Sequence, residues 1–168
     1  MQDENHIRLK EILEDSLYVP KWVNTYATNN KYVDILHDCF HVRIYKNGLK
    51  AAFIKQLKNL LTKLRKMLNI PHERINIFLL LSGNKKRINI GETFKPENIN
   101  SGLSISTLDP KAVHIVIYRI EDIFKVLIHE IIHYVGLDLR NIAPSLLHSI
   151  DLMIKKKYKS MLHIDLYI

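Results

Sequence analysis

Apolar residues recur along this chain with two different periods, and the changes of period mark its elements. Over residues 4–18 they fall at Ile7, Leu9, Ile12, Leu13 and Leu17, a broad helical face, with Pro20 just beyond as a stop. A further short helix is expected over residues 32–38. Residues 40–45 alternate instead, with Phe40, Val42 and Ile44 set against His41, Arg43 and Tyr45. That is the period of a half-buried strand, and Asn47-Gly48 marks the turn after it. The spacing returns to helical over residues 49–69. There Phe53, Leu57, Leu60, Leu61, Leu64 and Leu68 share one face, and the lysines fall mostly on the others. Pro71 is the expected stop for that helix.

Ile75 to Leu81 is a nearly continuous apolar run, the pattern of a central strand buried on both faces. Residues 82–100 are polar and turn-rich, with Gly83, Gly91 and Pro96, and read as an excursion from the sheet. Leu103 to Thr107 alternates as an edge strand would. After Asp109-Pro110 comes another apolar run, Val113 to Tyr118, and then a helical pattern over residues 121–135. Glu121 and Asp122 favour the start of that helix, and Gly136 stands where a C-terminal cap is expected. More helix follows, including a stretch over residues 144–157 that opens on Pro144. The alternation predicts an α+β fold of α/β character: a small mixed sheet with an antiparallel edge strand, packed against helices. No repeat, low-complexity tract or linker interrupts it, so 168 residues imply a single domain over 1–168.

Composition narrows the function classes. With 47% apolar residues the chain can build a real core. Cys39 is the sole cysteine, which excludes an internal disulfide framework and any multi-cysteine zinc site. Met1-Gln2-Asp3-Glu4-Asn5 has neither the basic nor the apolar region of a secretory signal. No apolar run approaches the roughly 18 residues of a membrane span. An intracellular, cytoplasmic protein is therefore expected. The net charge of +8 is concentrated locally. Lys50, Lys55, Lys58, Lys63, Arg65 and Lys66 lie in one stretch without an acid, and Lys155, Lys156, Lys157 and Lys159 form a second cluster. The ordinary reading is a solvated helix face; the sharper one is weak binding to a polyanion such as nucleic acid or an anionic membrane surface.

The chemistry-bearing segment is Ile128-His129-Glu130-Ile131-Ile132-His133-Tyr134-Val135-Gly136. On a helix, histidines at i and i+4 stand one above the other, so both imidazoles can reach a single Zn²⁺ at about 2.0–2.1 Å. Glu130 lies about 100° around the axis from His129, where it can reach a metal-bound water without ligating the metal. Shuffling the residues of this chain would produce H-E-x-x-H in about 2% of cases, so the helical setting after an apolar strand carries much of the weight. Tyr134 or Tyr158 could donate to an oxyanion, although most tyrosines so placed simply pack. His37 and His41 are four apart, but His41 belongs to a strand, so no second metal site is expected there. Cys39 lacks the context of a nucleophile, and Ser82-Gly83-Asn84-Lys85-Lys86 lacks the spacing of a phosphate-binding loop.

His129-Glu130-x-x-His133 resembles the signature of the zincin metallopeptidases. The elements before it resemble the zincin upper subdomain, a mixed sheet with an edge strand lining the cleft and the active-site helix behind it. Ile120 to Leu127, and Gly136-Leu137-Asp138 after the motif, also resemble uncharacterised metallopeptidase-like proteins of large DNA viruses. The resemblance implies a zinc-dependent hydrolase acting on peptide or protein, in a virus-infected cell, with His129 and His133 as ligands and Glu130 as general base. It also implies an extended substrate paired with the 103–107 edge. A third protein ligand is required. Metzincins place it six residues after the second histidine, where this chain has Leu139, although Gly136 matches their glycine. Asp138 falls one residue short, and no glutamate follows Glu130 to serve as in the thermolysin-like enzymes. His148 is the first choice, Asp151 and Asp138 follow, and His163, Asp165 or a ligand beyond residue 168 stay open. The reading from a different class is a catalytically inactive zincin-like binding module whose basic helix docks an acidic partner or nucleic acid.

Overall fold

Three short apolar strands buried on both faces form the middle of the sheet, and helices of the first unit cover them. The computed structural model describes residues 4–16, 19–46, 48–70, 74–86, 100–106, 113–121 and 123–137, and the single positions 145, 148, 149, 152 and 153. The elements are α1 (Glu4–Asp15), α2 (Trp22–Asn29), β1 (Tyr32–His37), β2 (Phe40–Tyr45), α3 (Ala51–Leu68), β3 (Ile75–Leu80), β4 (Gly102–Ser106), β5 (Val113–Ile117) and α4 (Ile123–Tyr134). The five strands form one sheet in the order β1-β2-β3-β5-β4. β2, β3 and β5 run parallel, and β1 and β4 close the two edges antiparallel. The chain is thus an α+β protein with a five-stranded mixed sheet packed against helices. It divides into two compact units, Met1–Ile131 and Ile132–Ile168.

In the first unit, side chains alternate across the sheet. Tyr45, Phe78, Leu80, Val116 and Tyr118 point to one face, where Leu9 and Leu13 of α1 and Val23 and Ala27 of α2 complete a buried cluster. Phe40, Val42, Ile44, Ile75, Ile77, Leu79, Ile115 and Ile117 are also buried and, by the same alternation, point to the other face. That face takes α3 and α4. His37 at the end of β1 meets Thr62 of α3 at 2.8 Å, and Phe53 of α3 stacks on Phe124 of α4 with ring centroids 5.6 Å apart. Leu57, Leu61 and Leu64 are the buried stripe of α3, each contributing roughly 1.5–3 kcal/mol by leaving water. The helix ends on Asn69 in the left-handed region, φ 48°, with its N–H on the Arg65 carbonyl.

The expected short helix over 32–38 is instead the edge strand β1, paired with β2 from Tyr32↔Tyr45 to His37↔Phe40. Only Ile35 is buried on it, so the strand carries no period-2 apolar pattern to announce itself. α2 was not expected, since only Val23 and Ala27, one turn apart, are buried on it. The other strands and helices lie within a few residues of the sequence reading. Leu17, Asn47, Pro71, residues 87–99, Thr107, Asp109-Pro110 and Asp122 lie outside the described residues, as do Lys155, Lys156, Lys157 and Lys159. Among the described residues, no helix is long and apolar enough to cross a membrane.

In the second unit the described part of the expected 144–157 helix is helical at residues 145, 148, 149, 152 and 153. Ser149 Oγ donates to the Ser145 carbonyl at 3.0 Å, one turn back.

Candidate metal-binding helix

The H-E-x-x-H residues sit in the last two turns of α4, which runs unbroken from Ile123 to Tyr134. Two local features fix its position. Gly136, at φ 68°, ends it: its N–H meets the His133 carbonyl at 3.1 Å, and the Leu137 N–H meets the Ile132 carbonyl at 3.2 Å. That pair of bonds is the Schellman cap a left-handed glycine permits, so the helix stops within one turn of His133. At the other end the helix seats on β4. A Cβ built on Gly102 would lie 2.8 Å from Val126 Cγ1 and 3.0 Å from the Val116 carbonyl. The backbone of β4 therefore approaches α4 at a distance only glycine allows.

Helical register then assigns directions. Ile123, Leu127, Glu130 and Ile131 form the buried stripe. Val126, on the β4 side, lies about 40° from Glu130, and Phe124, on the α3 side, lies about 120° from it in the opposite sense. His129 lies about 60° beyond Val126 in that same β4-ward sense, and is exposed. His133 lies about 40° from His129, one turn on, and is half-buried. The two imidazoles thus share one flank of α4, and Glu130 stands between that flank and the core.

Glu130 is the surprise of the segment. It is only 6% exposed, and it acts electrostatically on Tyr118, which is fully buried at the end of β5. Burial pushes the Tyr118 phenol up to about 12; the Arg119 cation opposes this and the Glu130 charge adds to it. The phenol is therefore protonated throughout the physiological range and can donate but cannot serve as a base. Arg119, 3% exposed, is the cation of this group. Its Nε donates to the Asn100 carbonyl at 3.0 Å and its Nη1 to the Asn84 carbonyl at 3.3 Å. Ser82 Oγ donates to the Tyr118 carbonyl at 2.8 Å, Tyr118 N–H to the Ser101 carbonyl and Ile120 N–H to the Ser82 carbonyl. The Lys86 N–H completes the set on the Glu121 carboxylate at 2.7 Å. The short turn that feeds α4 is therefore tied to the exit of β3 and to the entry of β4 at once. Neither Tyr118 nor Arg119 was singled out from sequence. The available signal was a cation placed directly between an apolar strand and the candidate helix.

The third ligand is not closed. His148 is helical and exposed. Among the described residues no group of three or more His, Cys, Asp or Glu side chains could hold a metal ion. Asp138, Asp151, His163, Asp165, Leu139 and Tyr158 lie outside the described residues, and Tyr134, the last residue of α4, is half-buried. His37 meets Thr62, and His41 lies 3.4 Å from Asp34, so the two serve different neighbours. Cys39 is buried, and that burial raises its thiol above the ordinary range, the reverse of what a nucleophile needs. No known family model matches this chain, and neither a curated protein nor a solved structure is significantly similar to it.

Proposed function

We propose that this protein is a zinc-dependent hydrolase of zincin type, a metallopeptidase in which His129 and His133 hold the metal and Glu130 is the general base. The reading rests on one observation: a continuous helix carries two imidazoles one turn apart on its β4 flank, with the carboxylate of Glu130 held between them and the core. The donor chemistry fits zinc at two of its three protein positions. A bound zinc would supply a Lewis acid that acidifies water. The residues supply the rest: the imidazoles hold the ion, Glu130 takes the water's proton, and the edge of β4 offers main-chain groups to an extended peptide. The third ligand is proposed among His148, Asp151 and Asp138.

Zinc content decides this. In metal-free buffers the full chain should bind about one Zn²⁺, His129→Ala and His133→Ala should lose it, and Glu130→Gln should keep it. Hydrolysis of an unstructured protein such as casein should fall in Glu130→Gln by about 10²–10⁴-fold. Zinc content unaffected by either histidine substitution would remove the site. Leu139, which stands where a metzincin would carry its third ligand, supports a second reading, a non-catalytic zincin-like module. Full zinc binding with no hydrolysis by the wild-type chain would select it.

A further inference from the structure

α3, at 18 residues the longest helix described, turns an acid-free face to solvent. Lys55, Asn59, Lys63 and Lys66 are all exposed. They fall within about 80° of one another around the helix axis and span about 16 Å along it. Gln56 is exposed beside them. The sequence from Leu49 to Ile70 contains no aspartate or glutamate. Among the described residues, both flanks of α3 are occupied without bringing an acid to this strip. Thr62 meets His37 on one side, and Phe53 stacks on Phe124 on the other. Asp38 pairs with Arg65, about 80–160° around the helix from the strip. Lys125, exposed on the neighbouring α4, adds a cation to the same side of the sheet.

We propose that this face of α3 is a docking surface for double-stranded DNA, held through the backbone phosphates. Charge is the first argument: a row of lysines with no carboxylate among them attracts a polyanion and releases its counterions. Shape is the second, because a single convex helix about 10–12 Å across fits a major groove about 12 Å wide. The exposed amides of Gln56 and Asn59 add hydrogen-bonding groups of the kind that fix register on phosphates and base edges. A membrane surface suits the face less well. The apolar side of α3 is consumed by the core, and of the exposed large apolar side chains only Met67, at the C-terminal end, belongs to α3, so little could insert among lipids. A single strand suits it less as well, because base stacking needs exposed aromatics and the aromatic of α3, Phe53, is stacked on Phe124. The surface lies on the α3 side of α4, away from the flank that carries His129, and it stands independently of the hydrolase reading.

The test is fluorescence anisotropy of the full chain with a labelled DNA duplex of about 20 base pairs and arbitrary sequence, from about 25 to 200 mM salt. Wild type should bind, with log K falling against log salt at a slope of about −0.9 per phosphate neutralised. The triple variant Lys55→Glu, Lys63→Glu, Lys66→Glu should bind at least about tenfold more weakly, with the slope shallower by about two to three. The gentler Lys→Gln triple should move the same way by less, which guards against a folding defect in the first. Lys10, Lys21 and Lys31 are exposed lysines elsewhere in the first unit. Reversing those three makes the same change in net charge and should alter affinity by less than about twofold. Glu130→Gln should bind the duplex as wild type does. Equal losses in the two charge-reversed triples, no binding at the lowest salt, or a preference of the α3 face for anionic phospholipid vesicles or polyglutamate over the duplex would each overturn the proposal.

Discussion

Val126 of α4 lies over Gly102 of β4 so closely that a Cβ on residue 102 would come within 2.8 Å of its Cγ1. The contact sits one turn before Glu130 and ties the candidate helix to the sheet edge. Gly102→Ala must push the helix away or distort the strand, because the next obstacle, the Val116 carbonyl at 3.0 Å, is backbone and cannot turn aside. The expected cost is about 1–3 kcal/mol, read as a lower urea midpoint at unchanged slope. Zinc affinity should fall with it, since the helix that carries the imidazoles is displaced. Wild-type stability in Gly102→Ala would mean that the helix does not seat here.

Much of this fold was legible because its central strands are buried on both faces. β3 is buried at all six positions, and a run such as Ile75 to Leu80 leaves few alternatives. α3 and α4 were legible because each has one apolar stripe and a clear end. β1 was not. Its residues alternate between Tyr32, Asp34, Leu36 and Val33, Ile35, His37, and neither set is consistently apolar, because the strand leans on the sheet only through Ile35. The missed clue was Asp38, at φ 58° in the two-residue turn between His37 and Phe40, a place where aspartate is favoured. The candidate site was half legible. The spacing of His129, Glu130 and His133 is a local helical property and can be read directly. The electrostatic influence of Glu130 on Tyr118 could not be read, because it arises only once β5 and α4 fold back on one another.

The Tyr118 phenol gives a pH test of that hidden group. Its folded value of about 12 lies above the ordinary 10.0. Below about pH 10 both states hold the proton and the full stabilisation is present. Between pH 10 and 12 the unfolded chain releases the proton while the folded chain keeps it, so stability falls as pH rises. The effect is at most about 2–3 kcal/mol. Tyr118→Phe has no such proton, so the stability of wild type relative to Tyr118→Phe should decline by that amount across the window. Urea titrations of both proteins at pH 8, 10 and 11.5 measure it, and parallel curves would remove the shift.

Arg43 makes a second, structural test. It is 3% exposed, bonded to both carboxylate oxygens of Asp34 at 2.8 Å, and set over the Tyr32 ring at 4.1 Å. Asp34→Ala should cost about 2–4 kcal/mol, because it leaves a buried guanidinium without its carboxylate. Replacing both residues, Asp34→Ala with Arg43→Met, should recover a large part of that loss. If the double variant is as unstable as the sum of the two single ones, the pair is not coupled and β1 is held by its ladder alone.

The edge of β4 carries the last prediction. β4 ends the sheet, paired on one side with β5 from Gly102↔Ile117 to Ser106↔Val113. Among the described residues no strand pairs with its other side, whose backbone groups are the template an extended peptide needs. Under the hydrolase reading, a peptide bound there would lie along the flank of α4 that carries His129. In Glu130→Gln, which should bind substrate without cleaving it, saturating an unstructured peptide should slow amide exchange over residues 102–106, and zinc should tighten the peptide's binding. The edge of β1 at the far end of the sheet provides the internal control, since its amides should exchange as before. Protection at β1 and not at β4 would place the peptide on the wrong edge for His129, and the substrate assignment would fail even if zinc binds.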